Sequence, residues 1–193
     1  DNMTAWKVMA GPVGDELADI FLKKTGLRVL AWPDGAGFRN IYTEKPVQSV
    51  ADLKGMKMRV PENPGLLAMF RGWGANTVTI SWSELYTSLQ AGMAEGHDTE
   101  LYSMFSKKLY EVNPHVTVTR HSFNLHPVMI NEEFFQSLSP NNQNIILQAG
   151  DLCSRVGNST SYLSGLVVKS AMEAEGATFY YPTNAEIEEF RSL

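Results

Sequence analysis

Apolar residues along the chain recur at helical spacing in some stretches and alternate like strands in others, and the two patterns exchange repeatedly from end to end. Residues 13 to 25 follow the helical period and Gly26 stops them, after which Leu27-Arg28-Val29-Leu30-Ala31-Trp32 reads as a strand ended by Pro33. Asp34-Gly35-Ala36-Gly37 reads as a flexible joint, and Phe38 to Thr43 alternates as a strand. A turn of helix over Val50 to Gly55 leads into Met56-Lys57-Met58-Arg59-Val60.

Three strand-to-helix junctions follow, each marked by its caps. Asn63 is a natural N-cap with Pro64 at the first helical position, opening a helix that stops near Gly74. Thr77 to Ile80 is a strand, and Ser81 and Glu84 form a capping-box pattern for a helix ended by Gly92. Ala94 to Thr99 is a short strand with Thr99 as the expected cap of the next helix. The carboxyl edge of an open α/β sheet is where ligands bind, because helix N-termini with free N–H groups converge there. Val116 to Thr119 and Leu125 to Ile130 read as strands and as chain crossings. From Ser139-Pro140 a helical spacing runs to Gly176 through Ile145, Ala149, Leu152, Val156, Leu163 and Val167. Such a helix is about 54 Å long at 1.5 Å per residue, so it must kink or bridge two lobes, with Gly150, Gly157 and Gly165 as its places to bend. A strand over 178–183 and the start of another helix from Ala185 close the chain. The alternation predicts an α/β fold.

Composition narrows the function. The 193 residues carry a formal charge of −5 and no basic stripe, which excludes a nucleic-acid partner. No run reaches the ~20 apolar residues of a membrane span. The single cysteine, Cys153, allows neither an internal disulfide nor a cysteine metal site, and it reads as a small buried hydrophobe in the long helix. Nucleophile-elbow, zinc-protease and P-loop motifs are absent, and Gly35-Ala36-Gly37 lacks the third glycine of a dinucleotide fingerprint. His97, His115, His121 and His126 lack ligand spacing, so no metal is expected. His97 and Asp98 form the one candidate acid–base pair of a rival reading, an α/β enzyme acting on a small organic acid. Strand neighbours point to opposite faces, which argues against it.

Arg59 and Trp82 carry more. An arginine at a strand end presents a planar fork that holds a carboxylate through two charge-assisted hydrogen bonds, and a tryptophan at the same sheet edge supplies an apolar wall.

These residues resemble the substrate-binding proteins of tripartite ATP-independent periplasmic (TRAP) transporters. The resemblance rests on Asp52-Leu53-Lys54-Gly55-Met56-Lys57-Met58-Arg59-Val60-Pro61, Gly74-Ala75-Asn76, Ser83-Glu84-Leu85-Tyr86-Thr87-Ser88-Leu89-Gln90 and Lys108-Leu109-Tyr110-Glu111-Val112. It implies a two-lobed periplasmic-binding-protein-like α/β fold with hinge strands and a long lobe-bridging helix. The expected division is 1–35 with 125–164 as an incomplete lobe I, and 36–124 with 165–193 as lobe II. The family begins upstream of Asp1 and continues past Leu193, so the chain is expected to be truncated at both ends. The implied function is capture of a small organic carboxylate in an interlobe cleft, in the periplasm, and its delivery to the membrane permease subunits. No cofactor and no catalytic residue is implied. By the same resemblance Arg59 pairs with the ligand carboxylate, Arg39 matches a second arginine of some members, and Trp82 takes the place of a cleft phenylalanine. Thr99 stands where a side-chain amide is usual, and Glu62 where sialic-acid binders carry asparagine; both weigh against a sialic-acid-like ligand. Asp98 and Glu62 complete the expected ligand-binding set.

Overall fold

A computed structural model describes residues 1–192. In chain order the elements are α1 (Asn2–Met9), α2 (Pro12–Thr25), β1 (Leu27–Ala31), β2 (Asp34–Thr43), β3 (Lys57–Val60), α3 (Pro64–Gly72), β4 (Asn76–Thr79), α4 (Leu85–Gln90) and β5 (Gly96–Glu100). There follow α5 (Leu101–Ser106), β6 (His115–Leu125), β7 (Val128–Asn131), α6 (Glu132–Ser137), α7 (Pro140–Ala174), β8 (Thr178–Tyr180) and α8 (Asn184–Arg191). Short 3-10 turns at Val50–Leu53, Trp82–Glu84 and Leu109–Glu111 join some of them. The chain forms two compact units, one of Asp1–Gly37 with Phe123–Gly165, the other of Phe38–Ser122 with the chain from Leu166 onward. Helix α7 begins in the first and ends in the second.

In the first unit β1 pairs antiparallel with β7, Arg28 opposite Ile130. Arg28 holds Glu132 by two hydrogen bonds of 2.7 Å and lies 4.6 Å over the Phe135 ring. The sequence pattern did not foresee α1, which Asp1 caps through its side chain. Nor did it foresee the place of Asp34, expected in a flexible joint. Residues 34–37 are the first residues of β2, and the Asp34 carboxylate accepts hydrogen bonds from the Trp6 indole, the Asn2 amide and the Gly37 backbone. The Asp34 N–H in turn donates to Asn158 on α7 at 2.8 Å. This knot holds Ala36 and Gly37 in the left-handed region, at φ 77° and 91°.

The long helix appears as expected, 35 residues of uninterrupted α-helix, but two of its glycines have a different use from the one anticipated. They are points of close approach. A Cβ on Gly150 would lie 2.4 Å from the Leu30 carbonyl oxygen, and one on Gly157 would lie 3.0 Å from Pro33. Cys153, expected inside, is exposed on this helix.

The second unit is built on a sheet in the order β4-β3-β5-β2-β6-β8. Strand β3 runs parallel to β4 and β5, and β2 runs antiparallel to β5. Both faces of the sheet are covered, so consecutive residues enter different cores. Ile41 packs with Leu53, Met58, Val60, Phe70, Trp73 and Phe190, whereas Tyr42 packs with Leu85, Leu89, Met104, Leu109, Val116 and Met172. Asn63 and Pro64 open α3 as their types predict, Asn63 accepting from the Leu66 N–H at 3.0 Å. Two other caps differ from expectation. Ser81 donates directly to the Glu84 carboxylate at 2.6 Å in a 3-10 turn instead of forming a reciprocal capping box. Thr99 belongs to β5, paired with Asn40, and Glu100 occupies the N-cap of α5. Cross-strand pairing outweighs the cap preference of a lone threonine.

Candidate functional site

All six expected ligand contacts lie in the second unit, and sheet register sorts four of them onto two faces. Arg39 is opposite Glu100 and Ile41 opposite Asp98 on β2 and β5, while Asn40 is opposite Thr99 and Tyr42 opposite His97. Arg59 on β3 is level with His97. Paired residues share a face and neighbours alternate, so Arg59 and Thr99 belong to one side of the sheet, Arg39 and Asp98 to the other.

The two arginines have opposite electrostatic situations. Arg39 is engaged on every nitrogen: Nε donates to Asp98 Oδ2 at 2.5 Å, Nη1 to Glu100 Oε1 at 2.9 Å and Nη2 to the Asp98 carbonyl at 2.7 Å. Burial works against its charge, but the two carboxylates outweigh burial and raise its pKa. Arg59 is 4% exposed, and its Nε donates to the Ile80 carbonyl at 2.9 Å. Among the described residues no carboxylate stands within ion-pair distance of it. Burial therefore pulls its pKa down, with Asp98 acting against that trend at longer range.

Asp98 is the hinge of the buried polar cluster. Burial pushes its carboxyl upward, yet hydrogen bonds from His121 and Arg39 overcome this and bring it down to about 2. His121, 3.3 Å from Asp98 Oδ2, is held through its other nitrogen by Thr119 at 2.7 Å and stands edge-on to Phe70 and Trp73. The second Asp98 oxygen, Oδ1, is buried without a hydrogen-bond partner among the described residues. Thr99 donates to Glu100 Oε2 at 3.0 Å, and Glu62 is exposed in the turn between β3 and α3.

His97 is not placed as a partner for Asp98. It is fully buried, stacked on Tyr42 with centroids 5.2 Å apart, and its Nδ1 lies 3.1 Å from Asn113 Oδ1. The Asn113 amide donates to the Glu95 and Val112 carbonyls, so Oδ1 is the acceptor and the imidazole proton sits on Nδ1. Burial pushes the His97 pKa down to about 4. Two strand neighbours with separate partners on separate faces do not make an acid–base pair.

Trp82, 38% exposed, begins the turn after β4, with the Arg59 guanidinium carbon 5.9 Å from its ring centroid. Sequence reading singled out neither Glu100 nor Lys107, whose ammonium lies 5.8 Å from the same ring, and it weighed His121 only as a metal ligand. The signal for Glu100 was available in principle, since it faces Arg39 once β2 and β5 are set in register. His121 and Lys107 come close only through the tertiary fold.

Solved TRAP periplasmic solute-binding proteins share this fold. The chain superposes over its full length, at 28% identity and a TM-score of 0.94, on a TRAP periplasmic solute-binding protein of Desulfovibrio desulfuricans with bound sn-glycerol-3-phosphate, covering 61% of it. Another from Roseobacter denitrificans, with bound β-D-glucuronate, matches 97% of the chain at 27% identity and a TM-score of 0.91, and 61% of it is covered. The 2,3-diketo-L-gulonate-binding periplasmic protein YiaO of Escherichia coli is 33% identical over 150 residues, 77% of this chain and 45% of that protein. The chain thus spans about half the length of such curated relatives. Residues 1–193 match the bacterial extracellular solute-binding protein family 7 (DctP), and the chain belongs to that family.

Proposed function

We propose that the protein captures a small organic carboxylate in the periplasm and presents it to the membrane permease subunits of a TRAP transporter, with Arg59 gripping the carboxylate. One observation carries the reading: Arg59 is buried, its Nε donates to the Ile80 carbonyl, and among the described residues no carboxylate stands within ion-pair distance of it. Removing a charge from water costs several kcal/mol when nothing compensates it, and an anionic ligand supplies the compensation. The glucuronate and glycerol phosphate bound by the two solved relatives support an anionic ligand of this kind. In this reading Trp82 is the apolar wall and Thr99 contributes its hydroxyl. Arg39 and Asp98, paired with each other on the other side of the sheet, steady the strands behind the Arg59 side and do not share the carboxylate it grips, and Glu62 lies at the exposed rim.

A charged hydrogen bond contributes about 1.5–3 kcal/mol net, whereas a micromolar complex needs about 8 kcal/mol. Arg59 therefore anchors a ligand that other contacts must also hold. No metal-ligating cluster exists among the described residues, and the reading requires no cofactor and no chemical step. Calorimetry with a panel of hexuronates and other small acids tests it. The expected result is micromolar or tighter binding of a member acid, weakened about 100-fold or more by Arg59→Ala, with the bound acid recovered unchanged after prolonged incubation. Equal binding by wild type and Arg59→Ala overturns the anchor, and turnover of the acid overturns the binding-protein reading.

A further inference from the structure

Within the first unit, helix α7 is keyed on one side to the end of β1 and the start of β2. Ser154 accepts from the Trp32 N–H at 3.1 Å and Asn158 from the Asp34 N–H at 2.8 Å, and a Cβ on Gly150 would have no room beside the Leu30 carbonyl. The helix therefore cannot roll. Its outer side carries Ile145, Ala149, Leu152, Val156, Ser159 and Leu163, every one of them exposed, Leu152 and Val156 each by 55%. The steps between them are four, three, four, three and four residues, the a/d alternation of a two-helix seam. Between Ile145 and Leu163 the seam and the two rows that flank it hold one charged residue, Arg155, and Asp151 of the same helix pairs with it at 2.7 Å. A helix face meant for water is polar and charged, and a stripe this narrow fits another helix better than a sheet.

We propose that a second copy of this chain covers the seam, α7 pairing antiparallel with the partner's α7 about a two-fold axis at the level of Ser154. In that register Ile145 meets the partner's Leu163, Ala149 the partner's Ser159 and Leu152 the partner's Val156, and the axis repeats each contact. Large side chains face large ones and small face small in every layer. A shift of one heptad in either direction sets small against large, Val156 against Ser159 or Leu152 against Ala149. Antiparallel pairing also sets the two helix dipoles head to tail, and the one charge on the face comes with its own carboxylate. Each α7 is already ordered by its own unit, so association fixes little more than side chains. The seam is about 27 Å long and about 10 Å wide, which places it among the small, reversible interfaces.

Sedimentation equilibrium of the full-length protein is expected to show a monomer–dimer equilibrium with half-association between about 1 and 100 µM. Leu152→Glu and Val156→Lys should each weaken it by about 100-fold or more while leaving circular dichroism and thermal melts unchanged, because both side chains are exposed. Mixing these two variants should bring association back to within about 10-fold of wild type, since the new charges then face each other across the seam. Disulfide trapping reads the direction. In a Cys153→Ser background, Ala149→Cys with Ser159→Cys should cross-link between copies under copper-phenanthroline at least about 10-fold faster than Ala149→Cys alone, whose thiols lie about 15 Å apart along the antiparallel pair. Fast cross-linking of the single variant means parallel helices and overturns the proposal. So does a protein that stays monomeric above about 100 µM, in which another part of its own polypeptide or a different partner covers the face, and so does a dimer indifferent to Leu152→Glu or not rescued by mixing.

Discussion

Asp98 and Arg39 meet at 2.5 Å with the Asp98 side chain fully buried and the Arg39 side chain 11% exposed, so the pair is an interior ion pair. Removing one charge from such a pair leaves the other stranded in a poor solvent. Asp98→Leu or Arg39→Met alone is therefore expected to destabilise the chain by about 3–5 kcal/mol, while the two together should cost much less than the sum of the single changes. Urea denaturation of the two single variants and the double variant measures this. Simple additivity of the two single effects would show that the charges do not depend on each other.

Acid sensitivity has two stages with the same sign. The folded His97 pKa, about 4, lies below the ordinary imidazole value of 6.5, so the unfolded chain binds the proton more readily between those values. Stability that is full above pH 6.5 is lost as pH falls to 4, by up to about 3 kcal/mol. The folded Asp98 pKa, about 2, lies below 3.8, so its contribution is present above pH 3.8 and lost as pH falls to 2. His97→Gln should flatten the first segment of a stability-against-pH curve and spare the second. A curve that remains equally steep between pH 6.5 and 4 in that variant would place the first stage elsewhere.

The glycines of α7 give a paired test. Gly150→Ala forces a Cβ toward the Leu30 backbone, whereas Gly165→Ala meets nothing within 4 Å. The first should destabilise by about 2 kcal/mol or more through overpacking, and the second should stabilise by about 0.5–1 kcal/mol through helix propensity. Thermal melts of the two variants are expected to move in opposite directions.

Arg59→Lys keeps the charge and loses the fork. A point charge cannot reproduce two parallel hydrogen bonds and cannot at once reach the Ile80 carbonyl and a ligand. Ligand affinity is expected to fall about 10-fold or more, the size of one charge-assisted hydrogen bond, and to remain above that of Arg59→Ala. Lysine binding as tightly as arginine would mean that charge alone anchors the acid.

Much of this was legible from local chemistry. Asn63-Pro64 opens α3, Gly26 closes α2 at φ 69°, and the spacing from Pro140 gives the long helix, because each signal acts within a few residues. What escaped was set by partners far along the chain. Thr99 reads as a cap until β2 claims it through Asn40, and Asp34 reads as loose until Trp6 and Asn158 close on it. The site divides in the same way. Arg59 was found by its position at a strand end, but the contrast that distinguishes it, a buried cation without a carboxylate beside another that has two, exists only after β2, β3 and β5 are aligned.

The alternation of β2 between two cores has a genetic consequence. Ile41 and Tyr42 are both fully buried on opposite faces, so each position accepts replacement only by residues suited to its own side. Loss or gain of a single codon between Phe38 and Thr43 would exchange the sides altogether, sending the Arg39 charge toward the layer occupied by Tyr42 and the aromatic ring toward Asp98. This stretch should thus vary by substitution and hardly ever by length, and deep mutational libraries that include one-codon deletions should show a sharp fitness minimum there beside ordinary tolerance in the exposed turn at Glu62.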